Sequence, residues 1–160
     1  MPLFSLDANV FIQAKNGPYG LDIMPIFWDW LEAQASSGHI FCAAPVYEEL
    51  RDGNDELSQW IQERKSLFVK EISVEAQQVF IEIVDYVFKN YPRKNADVFL
   101  SRADPLLIAQ AKILSCVVVT HERPVPENSS KVKIPNICSA FDVAYTDVYS
   151  MMRQLNAKFG

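Results

Sequence analysis

Short apolar runs separated by amphipathic stretches give the first view of this chain. Residues 3–6 (LFSL), 39–44 (HIFCAA) and 116–120 (CVVVT) are nearly continuous in apolar character and of strand length, and each is followed by polar or helix-starting residues. Weaker strand patterns cover 67–72 (LFVKEI) and 134–138 (IPNIC). Helical spacing fills the intervals, beginning with the apolar run that follows Asp7 and continuing over 21–38, which stops at Gly38. Three more helices are expected over 44–53, ending at Gly53, over 54–66, with Asn54 as N-cap, and over 73–91, opened by Ser73. Another covers 103–114, with Asp104 at its N-cap or first position and Pro105 in the first turn, where a missing N–H is tolerated. A last one spans 139–155 before a frayed NAKFG tail. Strands alternating with helices predict an α/β fold, a mainly parallel sheet covered on both faces.

At 160 residues the chain suits a single domain over 1–160, and no repeat, low-complexity tract or linker divides it; HERPVPENSSKVK at 121–133 reads as a polar loop. No apolar run approaches the roughly 18 residues of a membrane span, and no start resembles a secretory leader, so a cytoplasmic location without membrane contact is expected. Cys42, Cys116 and Cys138 sit in apolar surroundings without C-x-x-C spacing and read as buried thiols. The net charge of −5 argues against coating nucleic acid by charge alone. Local basic groups remain: Lys89, Arg93 and Lys94 gather near Tyr91, with Arg102, Arg123, Lys131 and Lys133 elsewhere.

Acids then change the picture. In an open parallel sheet, ligands bind beyond the carboxyl ends of the strands, and Asp7, Glu48 and Glu49, Asp104 and Glu122 mostly fall on that edge. Converging carboxylates repel one another unless a cation neutralises them, and oxygen donors without His or Cys select Mg²⁺ or Mn²⁺. Such an ion makes water a better nucleophile and stabilises phosphoryl oxyanions, so the pattern suits metal-assisted phosphodiester hydrolysis. There is no G-x-S-x-G elbow, Ser-His-Asp arrangement, phosphate-binding G-x-x-x-x-G-K-[ST] loop or dinucleotide G-x-G-x-x-G turn to support other chemistry. Singly, Asp7 is also a turn residue, Asp104 an N-cap and Glu49 a first-turn acid.

At these residues the chain resembles a PIN domain, the nuclease family that includes ribonuclease toxins of type II toxin–antitoxin systems. FSLDANVFI resembles the opening motif, carried onto Asp7 and Asn9; APVYEEL resembles the second, whose acid directly precedes Leu and so favours Glu49 over Glu48. ADPLLIAQAKIL resembles the third, carried onto Asp104, and VVVTHE resembles the strand and Thr-x-Asp of the fourth, carried onto Thr120 and Glu122, although Glu replaces Asp here. The resemblance implies a three-layer α/β/α sandwich around about five parallel strands ordered 3-2-1-4-5. It also implies Mg²⁺- or Mn²⁺-dependent endoribonuclease activity, a small antitoxin partner and a homodimer. On it, Asp7, Glu49, Asp104 and Glu122 are the catalytic and metal-holding acids, with Asn9 and Thr120 orienting carboxylates or water by hydrogen bonds. Arg51, Arg93, Lys94, Arg102 and Arg123 are the candidate RNA phosphate contacts. Two rival readings are a non-catalytic module of the same fold that binds RNA or protein, and a haloacid-dehalogenase-type phosphatase, which normally has a second Asp where Asn9 stands.

Overall fold

Strand β1 (Phe4–Leu6) lies at the centre of a five-stranded sheet in the computed structural model, which describes residues 2–159. Its neighbours are β2 (Ile40–Ala43) and β4 (Val117–Val119), with β3 (Val69–Lys70) outside β2 and β5 (Tyr145–Thr146) outside β4. All four pairings are parallel, and the strand order is 3-2-1-4-5. Phe4 stands opposite both Ile40 and Val117, so the register aligns the three apolar runs side by side. Central strands covered on both faces need apolar residues at every position, and β1 and β2 are buried throughout. Even Ser5 is wholly enclosed, with its hydroxyl unpartnered.

The helices complete a three-layer α/β/α sandwich. They are α1 (Ala8–Asn16), α2 (Pro25–Ser36), α3 (Ala44–Arg51), α4 (Glu56–Glu63), α5 (Lys65–Phe68), α6 (Val74–Asn90), α7 (Arg93–Leu100), α8 (Asp104–Leu114), α9 (Ile134–Ala140) and α10 (Val148–Gln154). Phe4, Leu6, Phe11, Phe27, Trp28 and Phe41 head the core, each contributing about 1.5–3 kcal/mol by leaving water. Helix α2 buries Phe27, Trp28 and Leu31 and leaves Trp30 half-buried, and the Trp28 indole N–H donates to the Tyr19 carbonyl at 2.6 Å. Helix α8 is buried around most of its circumference and lies against α6. Cys42, Cys116 and Cys138 are free and buried, as their apolar settings indicated.

Several boundaries differ from the pattern-based expectation, each for a local reason. Residues 134–138 are not a strand but the body of α9: Pro135 lacks the N–H a strand ladder needs, yet fits a first helical turn. The helix expected over 139–155 is interrupted, because Asp142 takes a left-handed turn at φ 56°, β5 follows, and Asp147 then starts α10 by accepting the Ser150 N–H at 2.7 Å. Phe141 follows the end of α9, Tyr145 lies in β5, and Val148 and Met152 lie in α10, so these apolar residues do not share one helix face. Helix α4 is capped by Asp55, which accepts from Ser58 N–H at 2.9 Å, while Asn54 occupies a left-handed turn at φ 53°. Helix α7, absent from the pattern-based reading, starts directly after Pro92.

Candidate active site

Four elements deliver acids to the carboxyl edge of the sheet. Asp7 follows β1 directly, Glu49 lies on α3, which starts where β2 ends, and Glu122 lies just beyond β4. Helix α8 leads into β4, so its first residue, Asp104, stands at the far edge from the start of that strand. Asp7, Asn9, Glu49, Arg102, Asp104 and Glu122 line one open crevice of about 420 Å³. Glu48 does not line it, whereas Glu49, the acid that the motif spacing favours, does.

The side-chain geometry argues against purely structural roles for the two aspartates. Asp7 has the backbone position of an N-cap for α1, but its carboxylate makes no capping bond and instead accepts the Thr120 hydroxyl at 3.1 Å. Thr120 is buried and its oxygen also accepts the Glu122 N–H at 3.1 Å, so one hydroxyl ties β1 to the turn beyond β4. Asp104 likewise makes no capping bond; Ala103 holds the N-cap position. The Ala103 N–H donates to Glu49 at 2.9 Å, and Glu122 accepts the Ile134 N–H, at the first residue of α9, at 2.8 Å. Each glutamate thus has one oxygen committed to a helix start.

Burial and mutual repulsion strain the aspartates. Burial raises the Asp104 carboxyl from 3.8 to about 8, reinforced by Asp7, Glu122 and Glu49 and opposed by Arg102. Burial also lifts Asp7 from 3.8 to about 6; the Thr120 hydrogen bond opposes this, and Glu122 and Glu49 add to it. A cation in the crevice would relieve both, and an all-oxygen donor set fits a hard divalent ion such as Mg²⁺ or Mn²⁺. Among the described residues, no three His, Cys, Asp or Glu side chains already form a coordinating cluster. The donors fit such an ion in kind, with Mg²⁺ commonly taking only one or two carboxylates directly.

The candidate basic residues divide by position. Arg102 reaches the crevice, and Lys94 shares a neighbouring groove with it. Arg123 lines a pocket of about 380 Å³ with Glu122, His121, Tyr145 and Tyr149. Arg51 instead pairs with Asp52 at 3.1 Å over the Tyr47 ring, and Arg93 pairs with Asp97 at 3.0 Å over Phe88. Sequence reasoning passed over Asn136, whose side-chain amide exchanges two hydrogen bonds with the Val125 backbone, at 2.9 and 2.8 Å. Its only signal was a polar residue inside an apolar run.

Solved structures of low sequence identity share this architecture. FitAB bound to an IR36 DNA fragment matches with a TM-score of 0.54 at 19% identity, over 91% of this chain and 94% of the other. FitAcB from Neisseria gonorrhoeae gives 0.52 at 20%, over 89% and 96%. VapBC2 from Rickettsia felis, bound to a DNA fragment from their promoter, gives 0.55 at 15%, over 91% and 98%. The strand order, the layers and these likenesses define a protein of PIN-like fold. Residues 4–159 match a family model described as a domain of unknown function (DUF4411), and the chain belongs to that family. A comparison with curated proteins returned no match.

Proposed function

We propose that this protein is a Mg²⁺- or Mn²⁺-dependent endoribonuclease, acting as the toxin of a toxin–antitoxin pair in the cytoplasm. The observation that carries the reading is the meeting of Asp7, Glu49, Asp104 and Glu122, from four separate elements, in one crevice. Asp7 and Asp104 would hold the ion directly, and Glu49 and Glu122 would contribute the oxygens not committed to backbone N–H groups. When bound, the ion supplies charge neutralisation and activation of water for attack on a phosphodiester. Thr120 fixes the Asp7 carboxylate, Asn9 offers a side-chain amide at the crevice wall, and Arg102 stands where a phosphate of the substrate can pair with it.

The toxin assignment draws on the resemblance to PIN ribonuclease toxins and on a structural neighbour described with DNA from its own promoter, which suits an antitoxin partner that binds DNA. A homodimer belongs to the same reading. No helix among the described residues is long and apolar enough to cross a membrane. A non-catalytic binding module is the second reading, favoured by the two glutamates that already serve helix starts. Cleavage of single-stranded RNA in Mn²⁺ separates the two. Wild-type protein should cut, EDTA should stop it, and Asp7→Asn or Asp104→Asn should slow it at least a hundredfold while the circular dichroism spectrum is kept. Unchanged cleavage in both variants defeats the nuclease reading.

A further inference from the structure

A second groove adjoins the acidic crevice, with a volume of about 330 Å³, between α7 and the segment leading into α9. Its walls carry Lys94, Arg102, Lys131 and Lys133, and no carboxylate lines it. Among the described residues, none of these four cations enters a salt bridge. In a chain of net charge −5, four cations without a salt bridge lining one groove run against the average composition. Arg102 lines both the groove and the crevice, so the two cavities adjoin at this side chain.

The groove is also built to hold its shape. Phe99 forms a buried part of one wall. The opposite segment is tied down by the two Asn136 to Val125 hydrogen bonds and by Ser129, whose hydroxyl accepts the Lys131 N–H at 3.1 Å. Lysines act as point charges for phosphate, which every nucleotide carries alike. We infer that this groove is the track on which the phosphate backbone of single-stranded RNA is held as it enters the acidic crevice. The inference rests on the ribonuclease reading for the identity of the polyanion, and charge complementarity selects a phosphate chain. Lys131 and Lys133 thereby join Lys94 and Arg102 as residues that hold the phosphate backbone.

The test is fluorescence anisotropy with a labelled twelve-nucleotide oligouridylate in EDTA, over a series of salt concentrations. The combined variant Lys94→Ala, Lys131→Ala and Lys133→Ala should bind at least tenfold more weakly at moderate salt. Its slope of log affinity against log salt should shrink by about 2, since each single-strand phosphate contact contributes about 0.7. The variant Lys65→Ala, Lys70→Ala and Lys89→Ala removes the same charge outside the groove and should stay within twofold of wild type. Equal losses in both variants, or no loss in the first, overturn the inference. So does a polyglutamate chain whose binding depends on the groove lysines while RNA binding does not. Lysine-dependent RNA binding by a protein that cleaves nothing upholds the groove and rejects the nuclease reading. Cleavage with unchanged binding in the groove variant does the reverse.

Discussion

Asp104→Asn should stabilise the metal-free protein, although it removes a residue central to the proposed chemistry. The substitution keeps size and shape and deletes only the titratable charge. In the folded state the Asp104 carboxyl is raised from 3.8 to about 8, chiefly by burial, so the folded protein holds this proton far more tightly than the unfolded chain. The contribution is therefore fully present below about pH 4 and is lost as pH rises through the folded value near 8. At about 1.4 kcal/mol per tenfold change in proton affinity, ionisation in the folded state costs up to about 6 kcal/mol. The neutral amide of the variant carries no such penalty. For a chain of this size each kcal/mol moves Tm by about 2–4 °C. Differential scanning calorimetry in EDTA at pH 8.5 should place the variant about 10 °C or more above wild type, with the gap closing to about 2–4 °C near pH 4.5. Adding Mn²⁺ should raise wild type and leave the variant nearly unmoved. A variant no more stable than wild type at pH 8.5, or a gap independent of pH, would refute the reasoning.

Thr120→Val removes a buried hydroxyl that serves both Asp7 and the Glu122 N–H, so urea titration should show a loss of about 1–3 kcal/mol. The same variant should bind Mn²⁺ about 10–100-fold more weakly, whereas Thr120→Ser should retain most of the affinity. Glu122→Gln can still accept the Ile134 N–H, and Glu122→Ala cannot. Thermal melts should therefore show the Ala variant less stable by about 1 kcal/mol or more, and cleavage assays should show both slowed if the second oxygen serves the reaction. Asn136→Ala should release the segment around Val125, read as faster amide hydrogen exchange over 122–133 with α8 unaffected.

Much of the site was legible because its chemistry lies in residues adjacent to strong strand signals. The runs at 3–6 and 116–120 end one and two residues before Asp7 and Glu122, so finding the strands also located these acids. The edge strands were harder. Strand β5 contains two residues and β3 two, too few for any alternation to register. Helix α9 was read as a strand because five residues rich in Ile and Cys look alike in either state, and Pro135 alone argued for a helix start. What sequence could not provide was side-chain direction. Motif spacing favoured Glu49 over Glu48 without showing where either side chain points, and it is the pitch of α3 against the sheet that puts Glu49 in the crevice and Glu48 outside. The pairing of Lys131 and Lys133 with Lys94 and Arg102 joins segments about 30 residues apart through tertiary packing, which no local pattern carries.

The central claim is that Asp7 and Asp104 together hold a divalent cation. Isothermal titration of the wild-type protein with Mn²⁺ at pH 7.5, in two buffers of different ionisation enthalpy, addresses it most directly. Binding should release a proton, because the Asp104 carboxyl, raised to about 8, must ionise as the ion enters. The heat should disappear in Asp7→Asn and in Asp104→Asn. Absence of Mn²⁺ binding in the wild type, or binding that survives both substitutions with no proton released, would contradict the account.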